Sequence, residues 1–369
     1  MAALPASSTN PALVLHAINT LTIEDRPIPP LPSEKHVLLQ ISHTGICGSD
    51  IHYWQRGRIG PFTLSGPLIL GHESSGTVQR CGTQVRTLQP GDRVAIEPGV
   101  PCRRCDHCRA GAYNLCAECV FAATPPCDGT LARYYVTDAA FCYRVPAHVD
   151  MEEAALVEPV AVAVQVCKTA GSVAGKSVCV FGCGPIGLLC QAVARAFGAS
   201  RVVGVDVSRA RLDFAREFAG SEVLAPPQPE KEGLEPVERS EIVAEMMKEE
   251  LRLGEGADVV LECTGAEPCI QTGVFIAKKG GTFVQVGMGK ENVMFPITAA
   301  CIKALNIKGS IRYTTGVYPT AIDLVASGKV PVKRLVTDRF KFEEAEQAFE
   351  LVKAAKEGVF KVVIEGVQN

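Results

Sequence analysis

The run Gly182-Cys183-Gly184-Pro185-Ile186-Gly187 restricts this chain more than any other feature. It is G-x-G-x-x-G, and it lies directly after the apolar stretch Ser177 to Phe181 and ahead of Leu189, Ala192, Val193 and Ala196, which recur at helical spacing. A further apolar run, Arg201 to Val205, ends at Asp206, about 20 residues past the glycines, where a dinucleotide's ribose is met. Strand, glycine turn, helix and strand in that order predict a βαβ unit in a parallel sheet. In such a unit Gly182 permits the tight turn, Gly184 the approach of a pyrophosphate and Gly187 the packing of helix on strand. A carboxylate at Asp206 accepts from ribose hydroxyls and repels a 2′-phosphate, which favours NAD over NADP, while Arg209 and Arg211 nearby temper that preference.

The pattern continues with Asp258 to Leu261, leading into Glu262-Cys263-Thr264-Gly265, and with Gly281 to Val286, ending at Gly287-Met288-Gly289. Both resemble strand ends facing a ligand crevice. Between these and the first strands, Ala225 to Glu235 is rich in Pro and Glu, and Ser240 to Arg252 is a charged helical stretch. Together they predict a solvated insertion. The first 160 residues differ in texture, with short β-type runs such as Val37 to Ile41 and frequent Gly and Pro.

At 369 residues, 47% of them hydrophobic, the chain can bury a large core and divide into two domains. Forty acidic residues against 37 basic ones give a formal charge of −3, so nothing marks a nucleic acid or an anionic membrane as partner, and a small molecule is expected instead. The N-terminal segment carries no basic leader with a long apolar run, and no stretch of about 18 apolar residues occurs, so a cytoplasmic protein is expected. Its sixteen cysteines then read as thiols, several gathered for metal.

Cys102-x2-Cys105-x2-Cys108-x7-Cys116 places four thiols on one loop at spacings that wrap a single tetrahedral zinc. Four thiolates leave no open position, so that ion is structural. A nucleic-acid zinc finger is excluded by the lack of a basic recognition helix. A second set, Cys47, His72 and Glu73, offers three ligands with room for water, which describes an open catalytic zinc. Cys167, Cys179, Cys190 and Cys301 read as small buried apolar residues.

These motifs resemble the zinc-containing medium-chain alcohol dehydrogenases, whose G-H-E-x2-G-x5-G-x2-V signature stands here at Gly71-His72-Glu73, Gly76, Gly82 and Val85. The resemblance spans nearly the whole chain. It implies a β-rich GroES-like catalytic domain over 1–160, a Rossmann doubly wound NAD-binding domain over 161–306, and a return to the catalytic domain over 307–369. Where the simple alcohol dehydrogenases carry a second thiolate, this chain has Glu158, which implies a carboxylate bound to zinc directly or through water.

That exchange resembles the polyol branch, as do His52-Tyr53-Trp54, Ala122 to Pro126 and Ile311-Arg312-Tyr313, and two further segments look most like fungal xylitol dehydrogenases. By resemblance, Tyr53, Phe121, Thr124, Glu158, Arg312 and Tyr313 contact the substrate. Ile186, Val286, Gly287, Met288, Ser310, Ile311 and Arg312 join the glycines, Asp206 and Arg211 on the cofactor. Ser49 and His52 carry the released proton outward, although Ser49 could equally cap a helix. The implied reaction is oxidation of a polyol to a ketose with hydride passed to NAD, xylitol to D-xylulose first, then sorbitol or L-arabinitol. A simple secondary alcohol dehydrogenase and a silent nucleotide-binding scaffold are the alternatives. Relatives assemble as dimers or tetramers, and the resemblance favours a homotetramer.

Overall fold

The computed structural model describes residues 9–368, which divide into two compact units. The first runs to Glu158 and takes in Thr314–Ala326 and the chain from Val332 onward. Its main sheet has seven strands. His36–Gly45 is central, pairing antiparallel with Glu73–Cys81, with Tyr134–Asp138 and with Lys361–Glu365. Strand alternation turns Val37, Leu39 and Ile41 to one face, where they meet Val78, Val94 and Ile96 in a buried cluster. A second cluster gathers Trp54, Leu70, Phe349 and Ile364, with the rings of Trp54 and Phe349 edge to face at 5.9 Å. The chain thus closes its first unit with its last strand.

The second unit, Pro159–Tyr313 with Ser327–Pro331, is a six-stranded parallel sheet. Across it the strands run Glu222–Leu224, Arg201–Val205, Ser177–Phe181, Ala257–Glu262, Ala277–Gln285 and Asn306–Gly309, which is the doubly wound order 3-2-1-4-5-6 of the Rossmann fold. Val178, Cys179, Val180 and Phe181 are all buried, as a strand covered on both faces requires. The sheet takes in Asn306–Gly309, so this unit extends past the boundary of 306 expected from sequence. The helix after the glycines begins at Pro185, since proline's fixed φ and missing N–H suit the first helical position.

Two sequence expectations are corrected. The helix Pro236–Glu250 is not a solvated insertion: Val243, Ala244 and Met247 lie in the core of the unit, and Ser240 Oγ donates to Gln271 Oε1 at 2.9 Å. Its charged residues hold the outer face and masked the inner one. Cys301 is exposed, because the short helix Ile297–Ile302 buries only Ala300. Cys167, Cys179 and Cys190 are buried. Among the described residues no helix is long and apolar enough to cross a membrane.

Candidate active site and metal centres

Cys47 ends the loop after the central strand and stands at the N-cap of the helix Gly48–Arg56. Glu73 opens the neighbouring strand, pairing in register with Gly45, and His72 immediately precedes it. Sheet register therefore brings the thiol, the imidazole and the carboxylate together, and their ligand atoms lie within 4.8 Å of one another. His72 and Glu73 are buried. A soft, a borderline and a hard donor in one pocket fit zinc with a position left for substrate.

Asp50, which sequence reading passed over, holds this cluster in place. Its Oδ2 accepts the Cys47 N–H and its Oδ1 accepts the Gly71 N–H, each at 3.0 Å. Oδ1 also lies 3.6 Å from His72 Nδ1. The other ring nitrogen, Nε2, is then the one left for a metal, 3.4 Å from the Ser49 hydroxyl. The helix is capped at Cys47, not Ser49, so Ser49 is released from that duty. His52 is half-buried, and burial together with the Arg56 charge lowers its imidazole below the usual value.

Glu73 meets a second residue absent from the sequence reading. Lys361, buried on the last strand, donates to Glu73 Oε2 at 2.7 Å, to Glu73 Oε1 at 2.9 Å and to the Ile46 carbonyl at 3.1 Å. Burial opposes its charge, but Glu73 and Cys47, with Glu158 further off, outweigh burial and keep the ammonium above its ordinary range. Glu158 itself is buried at the start of the helix Val157–Ala170. The Phe121 ring lies 5.9 Å from that of His72, while Tyr53 is buried and Thr124 half-buried in the same unit.

The four thiols of Cys102, Cys105, Cys108 and Cys116 also converge within 4.8 Å, with Cys105 and Cys108 sulfurs 3.5 Å apart and Cys102 and Cys108 sulfurs 4.0 Å apart. Sulfurs about 3.8 Å apart are what a tetrahedral zinc with bonds near 2.3 Å demands. Backbone N–H groups of Arg104 and Cys105 pull the Cys102 thiol down to about 7, toward the thiolate a metal needs. Tyr113, inside this loop, donates to Glu97 Oε1 at 2.5 Å, and Tyr143 donates to Oε2 at 2.8 Å. Glu97 is wholly buried, and burial raises its carboxyl to about 7 despite both tyrosines.

In the second unit, Gly182 has φ +95°, and a Cβ on Gly187 would stand 1.8 Å from the Gly182 carbonyl oxygen, so both positions exclude other residues. A Cβ on Gly184 would meet nothing within 4 Å, which leaves the helix N-terminus open for a phosphate. Asp206 Oδ2 accepts the Cys183 N–H at 2.8 Å, its Oδ1 accepts the Ser208 N–H at 2.9 Å, and Arg211 stands 4.0 Å away. Val286 and Gly287 donate to the Glu262 carbonyl, and Ser310 to that of Gln285, so these residues share the carboxyl edge of the sheet with the glycines. Ile186 is half-buried in the first helical turn and Met288 is exposed. Glu262, at the strand end that the sequence singled out, accepts N–H groups of Thr264 and Gly265 and fixes that edge. Arg312 holds φ at +51°, an uncommon conformation for a side chain of its size, beside buried Tyr313.

A family model described as "Alcohol dehydrogenase GroES-like domain" matches residues 33–147, and one described as "Zinc-binding dehydrogenase" matches 185–327. The chain is 51% identical to a protein named probable D-xylulose reductase A from Aspergillus clavatus, over 99% of this chain and 100% of the relative. It is 50% identical to D-xylulose reductase A from Aspergillus oryzae, over 100% of this chain and 99% of that one. Among solved structures, L-idonate 5-dehydrogenase from Escherichia coli superposes with a TM-score of 0.86 at 28% identity, covering 97% of this chain and 98% of that chain.

Proposed function

The chain belongs to the zinc-binding medium-chain alcohol dehydrogenase family, and on that premise we propose that it oxidises xylitol to D-xylulose with NAD as hydride acceptor. The convergence of Cys47, His72 and Glu73 carries this reading, joined to half identity over full length with proteins named D-xylulose reductase. When bound, zinc supplies Lewis acidity toward a substrate hydroxyl and NAD supplies the hydride acceptor.

The remaining chemistry belongs to the chain. Asp50 aims His72, and the Ser49 hydroxyl beside His72 Nε2 takes the first step of the outgoing proton. His52, its imidazole lowered and so neutral near pH 7, receives it. Glu158 accepts hydrogen bonds that a polyol offers and a monohydric alcohol lacks, while Tyr53, Phe121 and Thr124 shape the wall. Gly182, Gly184, Ile186 and Gly187 seat the pyrophosphate and Asp206 the ribose. We assign Val286, Gly287, Met288, Ser310 and Ile311 to the cofactor, and Arg312 and Tyr313 to the substrate, from the resemblance. Four thiolates at Cys102, Cys105, Cys108 and Cys116 hold the structural zinc.

We also propose a cytoplasmic homo-oligomer, a tetramer first. Among the described residues no cysteine is joined in a disulfide, which suits a reducing compartment. The edge strand Asn306–Gly309 is exposed along its length, Ile307 included, and Ile297 and Ile302 on the helix before it are exposed too, apolar surface that another copy can cover.

Initial rates with xylitol, sorbitol, L-arabinitol and 2-butanol, each with NAD and NADP, test the reaction. The highest kcat/KM is expected for xylitol with NAD; a preference for 2-butanol would make this a secondary alcohol dehydrogenase. Arg312→Ala should lower efficiency with xylitol by roughly tenfold to a hundredfold, the cost of one bond to a charged donor, and spare 2-butanol. Equal losses with both would move Arg312 to the cofactor or the fold.

A further inference from the structure

A buried ammonium is costly unless it is matched by charge and hydrogen bonds. Lys361 is matched completely: all three of its N–H groups have partners, two of them the oxygens of Glu73. Yet one of those oxygens also belongs to the cluster with Cys47 and His72. Glu73 therefore has two suitors, the lysine and the metal, and the two cations repel each other across it.

We propose that Lys361 is a resident cation of the catalytic metal centre, holding Glu73 buried and aimed when the metal is away and loosening the metal's grip when it is present. The role rests on reading Cys47, His72 and Glu73 as a metal centre. Without Lys361, the metal-free protein would bury an unmatched carboxylate beside the Cys47 thiol, so it must lose stability. The metal-bound protein would lose only a repulsion. Because stability and affinity are linked through the same cycle, removing the lysine moves them in opposite directions. A lysine that merely packs the strand would move them in the same direction.

The test uses full-length protein with the four-cysteine site loaded and the other site emptied, checked as one zinc per chain by elemental analysis. Relative to the native chain, Lys361→Met should lower the thermal midpoint of this half-loaded form and enlarge the rise on adding zinc. Zinc affinity, from competition with a chromophoric chelator, should tighten by about tenfold or more. Lys361→Arg should restore both values. If Lys361→Met does not fold, Lys361→Met with Glu73→Gln should, since the carboxylate that needed matching is gone. Affinity that is unchanged or weaker in Lys361→Met, or failure of the double variant to fold, overturns the role of Lys361. Full activity in native protein whose zinc is confined to the four-cysteine site would instead remove the metal-centre reading itself.

Discussion

The Nδ1 atom of His72 faces Asp50 Oδ1 at 3.6 Å, and the two oxygens of that same carboxylate hold the N–H groups of Cys47 and Gly71. One buried side chain thereby orients two ligands from different elements. Asp50→Asn keeps the shape but turns an amide N–H toward one backbone donor. Zinc affinity at the Cys47 centre should fall about tenfold to a hundredfold, the usual cost of losing an outer partner. The four-cysteine site should keep its ion. Chelator competition on both sites measures this, and unchanged affinity would reduce Asp50 to a helix cap.

Asp206, which we propose meets the ribose, ties down both Cys183 and Ser208, and Arg211 stands 4.0 Å away. The native protein should prefer NAD strongly. Asp206→Ala should narrow the NAD to NADP ratio of kcat/KM by roughly tenfold to a hundredfold, removing a charged acceptor and releasing the arginine toward a 2′-phosphate. Equal efficiency with both cofactors before mutation would refute the assignment.

The two metal clusters should fail differently. Cys105→Ser opens a closed thiolate shell on an exposed loop, so one zinc is lost together with thermal stability or assembly. His72→Ala should lose the other zinc and all activity while circular dichroism and NAD binding persist. Elemental analysis with a thermal melt separates the two. Identical phenotypes would mean that the ions are not divided into structural and catalytic roles.

Glu97 supplies a pH signature. Burial raises its folded pKa to about 7 from an ordinary 4.5, so the folded chain binds a proton that the unfolded chain has already released. The resulting stability is fully present below 4.5 and lost as pH rises through 7, about 3 kcal/mol in all. Glu97→Gln fixes the neutral form. Its thermal midpoint relative to the native chain should rise between about pH 5 and about pH 8, and parallel profiles would show that Glu97 ionises normally.

The parts that could be read in advance are those whose chemistry is local in sequence. Gly182 and Gly187 are separated by five residues and their geometry admits no other side chain, so the turn announces itself. The four thiols from Cys102 to Cys116 likewise fall on one loop. What stayed hidden depends on long-range pairing. Lys361 and Glu73 are 288 residues apart, and neither spacing nor hydropathy ties them together. Asp50 was passed over because nothing near a helix start tells that its carboxylate is buried against His72, 22 residues on. In Pro236–Glu250 the dense charge of the outer face drowned the Val243, Ala244 and Met247 stripe, so its period went unnoticed.

The strand Lys361–Glu365 pairs with His43, Thr44 and Gly45, and its lysine reaches the Ile46 carbonyl, 315 residues upstream. On a ribosome, the residues of the first unit emerge long before the strand that completes their sheet. The whole nucleotide-binding unit is synthesised in between. A polypeptide released early, anywhere in that stretch, can carry every metal ligand and still present an unpaired strand edge and a Glu73 without its counter-ion. Such fragments should be cut by proteases faster than the full chain, because the strand that completes their sheet is missing.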